Sequence, residues 1–175
     1  MITRIKTLLS PSKENEDNLL MEFRSLYQEH HQYVRNVIYW MVRSDDIDDL
    51  VQDTFVKAWS NLKNFNNESS FKTWIHRIGV NTAYDYLRKN KKPVLVTSYK
   101  KAREEDLSEK DLITKALMSL EFKYRELLVL SYKFEYTNKE IADIVGLKEG
   151  TVKSRLHTAK KEFKSFCLKE GVHFE

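Results

Sequence analysis

Along most of this chain apolar residues recur at intervals of three and four, the period of an amphipathic helix. After the polar stretch "SPSKENEDN" they fall at Leu19, Phe23, Leu26, Val34, Val37 and Met41, which predicts a first helix. A second is predicted from about Asp46, where carboxylates can cap free amides and favour the positive end of the helix dipole. Its apolar stripe is Ile47, Val51, Phe55, Ala58, Trp59 and Leu62. "KNFNNESS" then interrupts the pattern with residues that bond their own backbone, the composition of a loop. A third helix runs from Phe71 through Trp74, Ile75, Ile78, Thr82 and Tyr86 to the basic end "RKNKK". Gly79 inside it costs about 1 kcal/mol relative to Ala, which predicts close packing or a bend.

Between Lys91 and Asp111 the chain turns polar and charged, and the fragment "VLVT" has no second strand to pair with, so it reads as a linker. "LITKALMSL" and "FKYRELLVLSYKF" then resume the helical period. With only four Gly and two Pro, the sequence lacks the turns a sheet needs. The expectation is an all-α fold: two small helical domains joined by a flexible linker. Residues 1–18 form a polar extension, 19–92 the first domain, 93–110 the linker and 111–175 the second domain.

Residues 137 to 163 read "TNKEIADIVGLKEGTVKSRLHTAKKEF". Thr137 with Glu140 three residues on is a capping box. Ile141, Ala142 and Val145 make a short apolar face, and Gly146 permits the left-handed turn that ends a helix. A new helix follows with Val152, Leu156, Ala159 and Phe163 on one side. This is the grammar of a helix-turn-helix: a small Ala at the crossing, Gly in the turn, Leu147 and Val152 locking the angle. The other face of the second helix carries Lys153, Ser154, His157, Thr158, Lys160 and Lys161, side chains able to reach phosphates or base edges. A merely solvated basic face is the plain alternative. With the capping box, Gly146 and the apolar lock all in register, DNA binding is favoured over it.

Charge sharpens this picture. The net charge is only +4, but it is unevenly spread. Residues 72–92 carry net +5 and 148–164 net +4, against net −5 over 45–53. In the first basic segment, aromatics Phe65, Phe71, Trp74, Tyr84 and Tyr86 alternate with Lys72, Arg77, Asn81, Arg88 and Lys89, a pattern suited to capturing single-stranded nucleic acid. Trp74 and Tyr86 also fit ordinary core positions. Phe65, Asn66, Asn67 and Ser69 lie in the polar loop, where an extruded base could be stacked and bonded.

The acidic run contains a DDxxD box, Asp45, Asp46 and Asp49, the pattern by which isoprenoid synthases hold magnesium diphosphate. There is no second acidic box, and no Walker loop, HExxH, GxSxG or Cys-His cluster either. His30 and His31 are adjacent and point to different sides of a helix, a poor metal pair. One cysteine, Cys167, excludes an internal disulfide. No catalysis, no cofactor and no metal are expected. No apolar run approaches the roughly 18 residues of a membrane span, and the opening residues lack the features of a signal peptide. A cytoplasmic protein without membrane insertion is the expectation.

"DDLVQDTFVKAW", "FNNESSFKTWIHRIGVNTAYDYLR" and the helix-turn-helix segment resemble, in order, the second and fourth regions of bacterial sigma factors. Lacking the first and third regions, the chain resembles their extracytoplasmic-function (ECF) group across most of residues 22–165. The resemblance implies an alternative sigma factor that binds core RNA polymerase and promoter DNA. It implies that Asp49, Gln52 and Asp53 face the clamp coiled coil of the largest subunit, with the flap of the second-largest subunit as a further contact. Phe65, Asn66, Asn67, Ser69, Trp74, Arg77, Asn81 and Arg88 would hold the melted strand of the −10 element. Lys153, Ser154, Arg155, His157, Thr158, Lys160 and Lys161 would face the −35 duplex. Relatives are often restrained by an anti-sigma factor, which implies one here. The chain departs from the family at Thr158, where many relatives carry Arg, at Phe122 and Lys123, where Pro is frequent, and at Gly79, where Ala is usual. The rival reading is a stand-alone helix-turn-helix regulator that dimerises on a palindrome.

Overall fold

Residues Lys13 to Asn18, read above as part of a polar extension, are the first turns of a 30-residue helix, α1 (Lys13–Val42). In this computed structural model, which describes residues 13–65, 68–90 and 109–170, helices follow one another with no strand among the described residues. They are α1, α2 (Ile47–Ser60), a 3-10 turn (Leu62–Asn64), α3 (Phe71–Asn90), α4 (Glu109–Ser119), α5 (Phe122–Leu128), a π-helical turn (Val129–Lys133), α6 (Asn138–Val145) and α7 (Glu149–Lys169). The linker read at 93–110 lies outside the described residues apart from its last two.

The described residues fall into two units. The first takes α1 as far as Tyr39 together with Asp45–Tyr86; the second takes Trp40–Ser44 and the chain from Leu87. In the first, Leu26, Val34, Val37 and Ile38 of α1 are buried, as are Leu50, Val51 and Phe55 of α2 and Ile75 and Ala83 of α3. Phe23 binds this bundle through edge contacts with Phe55, Trp59 and Phe71, at ring separations of 6.4, 5.0 and 6.4 Å. Gly79 is buried among packed neighbours, yet leaves room for a side-chain methyl in ordinary contact. A methyl group there would touch Val34 and Thr54 at 3.6 Å.

The stripe of α2 is corrected at three places. Trp59 is 40% exposed, while Leu50 and Thr54 are buried. Thr54 can occupy a core position because its hydroxyl donates to the Leu50 carbonyl at 2.7 Å, so no polar group is left unpaired.

The second unit builds its core from Leu117, Leu120, Leu127, Leu128, Leu130, Ile141, Ala142, Ile144, Val152, Leu156 and Ala159. At its centre the Arg125 guanidinium, only 4% exposed, donates to the carbonyls of Met41, Leu117, Met118 and Leu120. Burial pulls its pKa down to about 10, so it stays charged at neutral pH. The segment "FKYRELLVLSYKF" is not one uniform helix: α5 passes into the π-helical turn, after which Glu135 adopts a left-handed φ of 57°.

Candidate nucleic-acid and partner interfaces

The helix-turn-helix forms as its local chemistry dictates. Glu140 N–H donates to the Thr137 hydroxyl at 3.3 Å, and Thr137 N–H donates to the Glu140 carboxylate at 2.8 Å, closing the capping box. Gly146 takes φ 71° and ψ 36°, a left-handed cap that L side chains adopt at a cost, and Leu147 N–H returns to the Ala142 carbonyl at 3.0 Å. Ile144, not Val145, completes the buried face of α6.

On α7, Val152, Leu156 and Ala159 are buried and Phe163 half-buried. Opposite them Lys153, Ser154, His157, Lys160 and Lys161 are exposed. Arg155 and Thr158 sit half-buried at the flanks. Lys153 pairs with Glu149 at 2.8 Å, and that hydrogen bond holds the Glu149 carboxyl below its ordinary range. Lys160 lies 5.3 Å from the centre of the Tyr132 ring. The hydroxyls of Ser154 and Thr158 donate back along the helix to Thr151 and Ser154 carbonyls at 3.0 and 3.2 Å.

A second exposed face lies on α3. Arg77, Asn81, Tyr84 and Arg88 are spaced four, three and four residues apart and all are exposed, with half-buried Trp74 one turn before them. Tyr84, 48% exposed, was noted in the sequence only as one of several aromatics. Its spacing from Arg77 and Arg88 was the signal that singles it out. Ser69 is half-buried beside this face, and Asn66 and Asn67 lie outside the described residues.

Phe65 is placed differently from the sequence expectation. It is 3% exposed, packed on Trp74 at 4.9 Å and Phe71 at 5.9 Å. It is thus part of an aromatic cluster with Phe71 and Trp74 and not a free stacking surface. The loop's polar neighbours hid a residue whose partners come from the next helix.

On α2, Asp49, Gln52 and Asp53 are exposed on the side away from buried Leu50, Val51 and Thr54. Asp48 and Asp49 occupy the first turn, where they suit the helix dipole. The capping role expected of Asp46 is not realised. Its carboxylate accepts instead from the Tyr86 hydroxyl at 2.6 Å, and Asp48 pairs with Arg35 at 3.0 Å. Among the described residues no group of three or more His, Cys, Asp or Glu is placed to hold a metal ion.

Comparison with known proteins follows the same division. Residues 26–92 match the family model of sigma-70 region 2, and 110–163 that of sigma-70 region 4. The RNA polymerase sigma factor SigV of Bacillus subtilis is 32% identical over 145 residues, covering 80% of this chain and 87% of that one. The ECF RNA polymerase sigma-E factor of Haemophilus influenzae is 29% identical, covering 79% and 84%. The sigma factor RpoE of Bartonella quintana, solved with the anti-sigma factor NepR, is 25% identical with a TM-score of 0.63, over 83% of this chain and 96% of that one. These relatives and the two domains they share with it show that this chain belongs to the extracytoplasmic-function group of sigma-70 factors and is an alternative sigma factor.

Proposed function

We propose how this sigma factor divides its work among the surfaces described. Asp49, Gln52 and Asp53 hold the clamp coiled coil of the largest polymerase subunit. Trp74, Arg77, Asn81 and Arg88, joined by Tyr84 and by Asn66, Asn67 and Ser69, hold the melted −10 strand, with Phe65 packed behind Trp74. Lys153, Ser154, His157 and Thr158 read the −35 duplex, while Arg155, Lys160 and Lys161 contact its backbone. The protein works in the cytoplasm and performs no bond chemistry.

The observation that carries this reading is the clean opposition on α7 between a buried apolar stripe and an exposed face of Lys, Ser and His. A helix locked by its partner on one side and stocked with donors on the other fits the major groove. Melting is favoured because an extruded base is held on α3, offsetting a few kcal/mol of unstacking.

A cleft of about 530 Å³ in the second unit supports the flap contact. Ile113, Leu117, Leu128, Val129, Tyr132 and Phe163 give it apolar walls, and Lys133, Lys160 and Lys164 add positive charge. It suits an apolar helix with acidic flanks, and the π-helical turn in its wall is a feature often found at functional sites. An anti-sigma factor is a further partner, by likeness to the Bartonella protein solved with one.

Permanganate footprinting with core enzyme tests the division. Lys153→Ala should weaken duplex binding, whereas Asn81→Ala should leave duplex binding intact and reduce opening about tenfold. Unchanged melting with Asn81→Ala would remove α3 from the melting step.

A further inference from the structure

α7 opens with a glycine that the fold does not require. Gly146 needs its left-handed φ, and Gly79 lies where a methyl group would already touch Val34 and Thr54. Gly150, the second residue of α7, meets neither condition. Its φ is not positive, and a methyl group placed on it would meet no atom within 4 Å. Glycine is the costliest helix residue after proline, so the position gives up helix stability with no packing gain inside the chain.

Its location gives the loss a use. Helical spacing sets Gly150 on one face with Ser154, His157 and Lys161, opposite the buried Val152, Leu156 and Ala159. The exposed face of α7 therefore begins with bare backbone. Ser154, one turn on, has the shortest polar side chain of that face, and in the free protein its hydroxyl turns back to the Thr151 carbonyl. Such a group reaches a base edge only if the helix axis lies deep in the groove. Lysines, with four-carbon stems, reach phosphates from a range of depths.

We propose that Gly150 sets the seating depth of α7: its Cα comes into van der Waals contact with the duplex, which brings the Ser154 hydroxyl within reach of a base edge. Any side chain at 150 holds the helix away and disconnects Ser154, while the lysine contacts persist. This rests on the reading of α7 as the duplex-binding helix.

The test uses the full chain with core polymerase and a duplex that this holoenzyme has selected from a randomised library. Gly150→Ala should raise the unfolding temperature of the chain by about 2 °C and yet weaken duplex binding about tenfold. The salt dependence should stay unchanged, because phosphate contacts are kept. Ser154→Ala should weaken binding in the wild-type background and add nothing on top of Gly150→Ala, the mark of coupled positions. Wild-type affinity in Gly150→Ala, with Lys153→Ala still weakened, would overturn the depth role alone. If Lys153→Ala also bound as wild type, the duplex reading of α7 would fall, and the role of Gly150 with it.

Discussion

At the scale of single residues, two buried ionisable groups make opposite demands. His30 is 8% exposed and stacks on Phe71 at 5.3 Å. Burial pushes its pKa below the ordinary 6.5; Glu29 at 3.6 Å opposes this and Lys72 adds to it. The unfolded chain therefore takes up the proton first as pH falls. His30 favours the folded state above pH 6.5, and that support is lost as pH drops toward its lower folded value. Thermal unfolding should accordingly show a lower midpoint at pH 5.5 than at pH 7.5, with a smaller difference in His30→Phe. An identical pH dependence in the two proteins would exclude the assignment. Arg125, by contrast, keeps its charge and donates to four carbonyls, those of Met41, Leu117, Met118 and Leu120. Arg125→Ala leaves these carbonyls without those donors, at a cost on the order of 3 kcal/mol. Denaturant unfolding followed on the second unit would measure it, and a loss below about 1 kcal/mol would show the carbonyls satisfied otherwise.

At the scale of elements, what the sequence disclosed depended on how local the cause was. The Thr137–Glu140 box, the Gly146 cap and the stripes of α7 follow from neighbours three or four residues apart, and all formed as their spacing required. Four features had no such signal. The start of α1 reads KENEDN, with no apolar residue whose period could be counted. The π-helical turn differs from an α-helix only by one step in the hydrogen-bond ladder, a difference that composition does not encode. Phe65 is buried by Phe71 and Trp74 across a loop, and Thr54 by a hydroxyl bond to Leu50, neither of which an apolar count can register. Of the candidate site, the exposed faces of α2, α3 and α7 were legible from periodicity, and Tyr84 was legible too through its helical spacing from Arg77 and Arg88. Gly79 supplies the test at this scale. Since a methyl group there would sit in ordinary contact at 3.6 Å, Gly79→Ala should stabilise α3 by about 0.5–1 kcal/mol. Destabilisation in thermal melts would mean that Val34 and Thr54 cannot accept even that contact.

At the scale of the whole molecule, the two units carry separate cores and separate exposed faces on one chain. Two weak contacts on one tether reinforce each other, because forming the first raises the effective concentration of the second. A stand-alone regulator needs none of this and would bind its duplex without polymerase. The acidic face of α2 is where the two accounts part most sharply, since only the polymerase-dependent one requires it for transcription. Reversing its charge with Asp49→Lys and Asp53→Lys should abolish transcription with core enzyme while leaving the fold intact by circular dichroism. The measurement closest to the central claim is run-off transcription with purified chain, core polymerase freed of other sigma factors, and genomic fragments. The account predicts transcripts of defined length that require the wild-type chain and vanish with the charge reversal. Defined transcripts undiminished by the reversal, or none with the wild-type chain on any fragment, would contradict it.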